Sequence, residues 1–252
     1  MDRREAVLRE LNLYPLWVQR AERAVEVVPV VEAVVSTVGV ERVVGPAQTP
    51  SHVVNEDKVE NGEGEVSVEL NWPELKQKVR DCTECKLRAG CTQTVFGVGD
   101  EKADWLFVGE GPGADEDAQG EPFVGKAGQL LDNMLLAIKL KRGSKVYIAN
   151  IVKCRPPANR APEADEISSC LPYLQNQIAL IQPKVIVAMG KTAATALLGK
   201  NATLGSLRSI LHDYQGTPLI VTFHPAYLLR SPSEKAKAWQ DLCLATDTMQ
   251  QL

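Results

Sequence analysis

The sequence predicts an α/β fold, a three-layer α/β/α domain around a central, mainly parallel sheet of four strands. Four short apolar runs recur along the chain, and each is nearly continuous, as in strands that are buried on both faces of a sheet. Helical patterns separate these runs, and alternating strands and helices imply parallel pairing through crossover helices. The runs are DWLFVG (104–109), KVYIAN (145–150), KVIVAM (184–189) and PLIVTF (218–223).

Five segments of the same region predict the helices that cover the sheet. In residues 126–140, leucine, methionine and isoleucine side chains recur on one helical face. Pro73 suits the first turn of a helix that begins at residue 72. The predicted helices span residues 72–80, 126–140, 162–181, 191–198 and 233–249.

Residues 1–70 differ in composition from the rest of the chain. Residues 1–23 predict a short amphipathic helix. Residues 24–70 predict an acidic, largely disordered linker that contains Val, Pro and Gly. Residues 1–70 hold 7 Lys and Arg against 13 Asp and Glu, a net charge of −6, whereas residues 71–252 hold 21 against 19, a net charge of +2. We therefore expect one folded domain, residues 71–252, behind a flexible extension.

Overall composition excludes several classes of protein. The chain has 252 residues, of which 44% are hydrophobic and 24% are charged, values that are typical of globular proteins and not of disordered or collagen-like chains. It contains no apolar run of about 18 residues, so we expect no membrane span. Its start has no secretory pattern, and we expect a cytoplasmic protein. The small net charge of residues 71–252 neither indicates nor excludes a nucleic-acid partner.

The loops that follow the predicted strands contain the most distinctive residues. Ligands of such sheets bind beyond the carboxyl ends of the strands. The glycine-rich GEGPG (109–113) matches neither a P-loop nor a dinucleotide fingerprint. Phe123, an aromatic side chain in a polar loop, fits either a core position or a stacking platform for a base. His224 follows the last strand directly, which makes it a candidate functional residue.

Six cysteines in a chain without a secretory pattern favour ligands or buried thiols over disulfides. Cys82 and Cys85 form a C-x2-C pair, and Cys154 and Cys170 lie far downstream. Four thiolates suit either a tetrahedral zinc ion or an iron–sulfur cluster, although the spacing is not that of a zinc ribbon. On spacing alone, Cys91 is a rival ligand.

Taken together, these motifs resemble the family 4 uracil-DNA glycosylases, the iron–sulfur type. The resemblance covers residues 71–252 and implies the three-layer fold. It also implies a [4Fe–4S] cluster bound by Cys82, Cys85, Cys154 and Cys170, which leaves Cys91 out. It rests on the cysteine spacing and on GEGPGADEDAQGEPFVGKAG (109–128), VYIANIVKCRPPANRAP (146–162) and FHPAYLLR (223–230).

The resemblance implies an enzyme of DNA repair. Such an enzyme flips uracil out of single- or double-stranded DNA and hydrolyses its N-glycosidic bond, leaving an abasic site for base excision repair. By the resemblance, Asn150 reads the pairing edge of uracil, Phe123 stacks on the base, and His224 donates a hydrogen bond to the uracil O2 atom. The uracil pocket would also include Glu110, Gly111, Pro112 and Gly113.

The resemblance leaves the activation of water open. Other uracil-excising families carry Asp or Asn at the position of Gly111, which here has no side chain. Glu110 is therefore the candidate that positions the water or the base, with Asp115 or Glu116 as electrostatic contributors. The loop expected to contact DNA comprises Tyr227, Leu228, Leu229 and Arg230.

Two other functions fit the same motifs. One is a non-catalytic iron–sulfur domain that binds nucleic acid, tethered to replication proteins. The other is a related glycosylase that accepts a broader set of deaminated bases. We expect a monomer that associates with the nucleoid while it scans DNA, and residues 1–70 offer a possible docking segment for a protein partner.

Overall fold

A six-stranded sheet forms the centre of the computed structural model, which describes residues 70–252. The predicted helix at residues 1–23 and all but the last residue of the predicted linker at residues 24–70 lie outside the described residues. The sheet has the order β1-β3-β2-β4-β6-β5. Its strands are β1 (Val98–Gly99), β2 (Trp105–Gly109), β3 (Val146–Asn150), β4 (Val185–Met189), β5 (Leu211–Tyr214) and β6 (Thr217–Thr222).

The four predicted strands are confirmed, and they pair in parallel as β3-β2-β4-β6. Two antiparallel edge strands, β1 and β5, extend the predicted four-stranded sheet to six. Neither edge strand has an apolar run in its sequence. The strand β1 is two residues long, and Tyr214 is the only buried residue of β5. Gln215 and Gly216 join β5 to β6 with positive φ angles of 50° and 84°, as a tight two-residue hairpin requires.

Eight α-helices accompany the sheet in residues 70–252. The five predicted helices are present, with bounds that shift by three residues or fewer. Three further helices are too short to leave a periodic pattern. The helices are α1 (Trp72–Arg80), α2 (Ala114–Gln119), α3 (Lys126–Ala137), α4 (Ala164–Ile181), α5 (Lys191–Leu198), α6 (Leu204–Leu207), α7 (Pro225–Arg230) and α8 (Lys235–Gln250).

The core lies on both faces of the sheet, which confirms the three-layer architecture. Alternate strand residues such as Leu106 and Ile186 pack in one apolar cluster with side chains of α1, α4 and α5. The intervening residues, among them Phe107 and Ile148, are equally buried. On the sheet, α8 contacts β4 and β6. No helix in residues 70–252 is long and apolar enough to cross a membrane.

The register of the parallel strands brings the predicted site residues to one edge of the sheet. Gly109, the last residue of β2, is the partner of Asn150, the last residue of β3. Met189 at the end of β4 is the partner of Thr222 at the end of β6, two residues before His224. The loops that leave these carboxyl ends therefore surround a common space.

Candidate active site

A cleft of about 530 Å³ opens at the carboxyl edge of the sheet. Its walls come from the loops after β2, β3, β4 and β6 and from α7. Nine of the residues predicted for the site line this cleft: Glu110, Gly111, Pro112, Gly113, Phe123, Asn150, His224, Tyr227 and Arg230.

Phe123 forms one wall of the cleft, and hydrogen bonds to the backbone carbonyl oxygens of Pro122 and Phe123 hold it there. Its φ angle of 57° lies in the left-handed region, which costs a bulky residue conformational free energy. Arg142 compensates by donating to the carbonyl oxygens of Pro122 (2.9 Å) and Phe123 (2.8 Å), while Asp132 accepts from the same guanidinium at 3.0 Å. The aromatic ring is thus fixed by a residue that the sequence analysis did not identify.

Glu116 organises the same loop from the other side. One carboxylate oxygen accepts from the backbone N–H of Gly113 at 3.0 Å, and the other accepts from Val124 and Gly125 at 3.0 and 3.1 Å. The carboxylate therefore binds the backbone of its own loop, whereas the sequence analysis treated it as an electrostatic contributor. Because the Gly113 N–H donates to Glu116, it is already paired inside the loop.

Asn150 lies at the base of the cleft with an unpaired acceptor. The residue is 2% exposed, and its Oδ1 atom has no hydrogen-bond partner among residues 70–252. A buried polar atom without a partner costs about 1–3 kcal/mol. Gly109 makes this arrangement possible, because a Cβ atom there would stand 2.5 Å from the Phe123 ring and would also meet Oδ1 of Asn150. The Oδ1 atom of Asn150 is therefore available to accept from an N–H group of a ligand in the cleft.

His224 faces Phe123 across the cleft, with 5.4 Å between the ring centroids. It is the N-cap of α7, and its Nδ1 atom accepts from the backbone N–H of Ala226 at 3.2 Å. An accepting Nδ1 places the proton of the neutral ring on Nε2. Burial lowers the pKa of His224 from 6.5 to about 4; the Arg230 cation also lowers it, and Glu116 opposes the shift. At neutral pH the imidazole is therefore an uncharged donor through Nε2.

This pKa shift predicts a pH dependence of folding stability. The unfolded chain protonates the ring near pH 6.5, whereas the folded chain does so near pH 4. The unfolded state binds more protons between these values, so the free energy of unfolding falls as the pH falls through this window and is unaffected above it. We expect the free energy of unfolding to fall by about 2 kcal/mol, which is less than the full pKa shift implies because solvent screens the partly buried ring.

Urea unfolding at pH 7 and pH 4.5 measures this loss. His224→Asn is the matched control, because asparagine also caps helices but does not titrate. The variant should lose less stability than the wild type over the same interval. An identical pH dependence in both proteins would contradict the assigned pKa shift.

Glu110 extends from the end of β2 and is oriented by a second residue that the sequence analysis missed. The Thr192 hydroxyl donates to the Glu110 carboxylate. Thr192 lies in the first turn of α5, directly after the carboxyl end of β4. Site residues had been expected only after β2, β3 and β6, so Thr192 was missed. Gly111 packs tightly here, because a Cβ atom would stand 2.7 Å from a Val152 methyl group.

The predicted DNA-contacting loop is a helix, α7, and only part of it faces outward. Tyr227 is 38% exposed and Leu229 is 43% exposed, and Arg230 lines the cleft. Leu228 is fully buried in this conformation, and its predicted contact with DNA stays a prediction. Pro225 and Leu228 are three residues apart, so helical geometry places both on the face that packs against the core.

An aromatic stack supports α7 from inside the protein. The Tyr227 ring stacks on Phe223 with 5.2 Å between centroids and 18° between planes. The guanidinium of Arg208 lies 4.2 Å from the Phe223 centroid, and Arg208 pairs with the fully buried Asp241 at 2.7 Å. An ion pair in the core is thus connected through two rings to the rim of the cleft.

The four cysteines of the predicted cluster also come together. Cys82, Cys85, Cys154 and Cys170 line one small cavity, separate from the cleft. Cys91 is not among the lining residues; its thiol lies beside that of Cys154. Burial raises the pKa of both the Cys154 and the Cys170 thiols. Among residues 70–252, no three His, Cys, Asp or Glu side chains form a group that could hold a metal ion as they stand.

Comparisons with known proteins agree with this geometry. A profile of the uracil DNA glycosylase superfamily matches residues 96–243. The type-4 uracil-DNA glycosylase of Pyrobaculum aerophilum is 40% identical over 185 residues, which cover 69% of this chain and 93% of the relative. That of Thermotoga maritima is 42% identical over 165 residues, 65% of this chain and 85% of the relative. A DNA polymerase of Bacillus phage SP01 is 31% identical over 136 residues, which are 54% of this chain but 15% of the polymerase.

Proposed function

Since this chain belongs to the uracil-DNA glycosylase superfamily, and within it to the type-4 uracil-DNA glycosylases, we propose that it hydrolyses the N-glycosidic bond of uracil in DNA. The products are free uracil and an abasic site, the starting point of base excision repair. The reaction requires a pocket for a flipped base, a donor for the departing anion and a positioned water. The described cleft contains a candidate for each.

One observation carries the proposal, the unpaired Oδ1 atom of Asn150 beside the rings of Phe123 and His224. Uracil presents an N3–H donor next to the O4 acceptor. An asparagine amide matches this pair, with Oδ1 accepting from N3–H and Nδ2 donating to O4. Cytosine presents the reverse pattern, an acceptor at N3 and donors at N4, which the amide matches only after a 180° flip. The amide therefore binds uracil in one orientation and rejects cytosine as long as that orientation is held.

Departure of the base leaves negative charge on uracil, which the Nε2–H of His224 stabilises at O2. The hydrogen bond from the Ala226 N–H holds the ring in the tautomer that can donate. A preorganised donor of this kind is worth about 3–4 kcal/mol in the transition state. Because the ring is neutral, it donates without holding the uracil anion as tightly as an imidazolium would.

Glu110 is our candidate for positioning the water that attacks the sugar. Its carboxylate is fixed by the hydroxyl of Thr192 at the edge of the cleft. A carboxylate in this place also stabilises positive charge that develops on the sugar as the bond to uracil breaks. We assign it a positioning and electrostatic role, and we assign no general base.

Arg142 should affect catalysis through Phe123, which it holds. We expect Arg142→Gln to raise the KM for a uracil-containing oligonucleotide about tenfold, because two hydrogen bonds to the strained backbone are lost and the ring is freed. The kcat should change less than the KM. Arg80→Gln, which alters an exposed arginine at the end of α1, is the control. An unchanged KM in a folded Arg142→Gln variant would show that the clamp does not position Phe123.

The cysteine cavity fits the [4Fe–4S] cluster that a type-4 family member is expected to hold. Four soft thiolates are the donor set of such a cluster. We propose Cys82, Cys85, Cys154 and Cys170 as the ligands, with Cys91 excluded. These residues would hold the cluster between the segment after α1 and α4, where it would supply structural support and no chemistry for cleavage of the glycosidic bond.

We propose that α7 and the rim of the cleft contact DNA. Tyr227 and Leu229 offer exposed apolar surface to unstacked bases, and Arg230 offers charge to the phosphates. Lys191 and Arg160 add two cations to the walls of the cleft. All residues that line the cleft belong to one chain, which supports a monomer. A DNA substrate supports our expectation of a cytoplasmic, nucleoid-associated enzyme.

A cleavage assay on a labelled oligonucleotide tests the function. One strand contains a single uracil, and the control strand contains thymine at the same position. Protein purified without oxygen is incubated with each, alone and as a duplex, and alkali then cleaves any abasic site. We expect scission at uracil alone. Intact strands, together with an intact iron–sulfur spectrum, would refute the glycosylase and favour a non-catalytic nucleic-acid-binding domain; scission at other deaminated bases would widen the substrate range.

A further inference from the structure

Lys153 is a buried cation between the cysteine cavity and the base of the cleft. It is 1% exposed, and its ammonium donates to the Asn150 carbonyl oxygen at 2.8 Å and to the Gln177 amide oxygen at 2.7 Å. Its own backbone N–H donates to the Cys170 sulfur at 3.2 Å. The residue also lines the cysteine cavity. Lys153 thus contacts the proposed uracil reader through its ammonium and a proposed cluster ligand through its backbone N–H.

The ammonium has only neutral hydrogen-bond partners, as the buried carboxylate of Asp117 also does, whereas other buried ions of the described residues are paired with an opposite charge. Arg208 pairs with Asp241, and Glu166 pairs with Arg160, so each of these buried ions faces an opposite charge. Both hydrogen-bond acceptors of the Lys153 ammonium are uncharged oxygens. Burying a cation without a counter-charge is costly. A [4Fe–4S] cluster with four thiolate ligands would supply that counter-charge, because the negative charge of the thiolates exceeds the positive charge of the iron–sulfur core.

The contacts of Lys153 are fixed on both sides. Gln177 is fully buried, and its Nε2 atom donates to the Phe96 carbonyl oxygen at 3.0 Å, which turns its oxygen toward Lys153. On the other side, Asn150 is the last residue of β3. A hydrogen bond to its carbonyl oxygen holds the backbone from which the amide reaches into the cleft.

We propose that Lys153 is a positioning residue that couples the cluster to uracil recognition: its ammonium balances the charge of the cluster and holds the backbone of Asn150. This inference rests on the proposed function and its cofactor. It gives the cluster an effect on base recognition, although the cluster takes no part in the chemistry.

Lys153→Met tests both halves of the coupling, because methionine keeps most of the apolar stem and removes the charge and both hydrogen bonds. In the full-length protein with its cluster, we expect the midpoint potential of the cluster to shift to a more negative value, since a nearby positive charge is lost. We also expect free uracil to inhibit about tenfold more weakly. Lys184→Met, a 59% exposed lysine paired with Asp104, is the matched control and should change neither.

Lys153→Gln separates the two effects and serves if Lys153→Met does not fold. Glutamine retains an N–H donor but no charge, so we expect the same direction of potential shift with a smaller loss of uracil affinity. The inference would be overturned if a folded variant kept both the midpoint potential of the cluster and the inhibition by free uracil of the wild type. The proposed function would still stand in that case, provided that the wild type excises uracil. A wild-type protein that excises uracil without any cluster would overturn the inference and the cofactor together.

Discussion

His224→Ala should excise uracil about 100- to 1,000-fold more slowly than the wild type, the loss expected when one preorganised donor to a developing anion is removed. The substitution deletes the Nε2–H that faces the uracil O2 atom in our proposal. It also deletes the cap of α7, in which Nδ1 accepts from the Ala226 N–H. Single-turnover excision from a uracil oligonucleotide measures the effect on the chemical step.

Two controls separate catalysis from folding. His224→Asn retains a capping side chain and a neutral N–H donor, so it should recover part of the rate that alanine loses. The affinity of each variant for an uncleavable abasic-site duplex should stay within about threefold of wild type, because the phosphate contacts are untouched. A His224→Ala variant that is folded and excises uracil at the wild-type rate would contradict the assigned role.

Cys154→Ser should abolish the cluster and much of the stability of the domain. Cys154 is buried and lines the cavity with the other three proposed ligands. Because metal binding is coupled to folding, we expect loss of the visible sulfur-to-iron absorbance and of about 3 kcal/mol or more of unfolding free energy. Absorbance spectra and denaturant unfolding of anaerobically purified protein measure the two losses.

Cys91 and Cys243 provide the comparisons for this experiment. Cys91→Ser removes the thiol that lies beside Cys154, and it should leave the absorbance intact if Cys91 is not a ligand. Cys243→Ser changes a cysteine of α8 and controls for the substitution itself. Should Cys91→Ser lose the absorbance while Cys154→Ser keeps it, the ligand set would have to be revised.

The apolar strands and the positions of the site residues were predictable because their signals are local. A strand buried on both faces is a continuous apolar run, and its carboxyl end marks the candidate site, so the position of His224 is visible in the sequence, whereas Asn150 was identified through the family resemblance. Arg142 and Thr192 leave no such signal, because their roles depend on hydrogen bonds to residues 19 and 82 positions away. Long-range contacts of this kind require the fold.

The burial of Leu228 was not predictable for a related reason. Six residues are too few to show helical periodicity, so the sequence could not distinguish a core position from an exposed one at Leu228 and Leu229. Once the segment is a helix, residues three or four apart share a face, so Leu228 turns inward with Pro225 while Tyr227 and Leu229 stay outside. The edge strand β5 was missed because one face is solvated and its sequence lacks an apolar run.

The stack of Arg208, Phe223 and Tyr227 has a consequence for the thermodynamics of DNA binding. A side chain that is ordered on association gives up about 0.5–1.5 kcal/mol of conformational entropy. Tyr227 is already immobilised against Phe223, which is itself held by a guanidinium anchored in the core. The entropy of this ring is therefore lost when the chain folds. If α7 contacts DNA as we propose, less of the binding free energy is spent on ordering Tyr227 and more is available for unstacking the base.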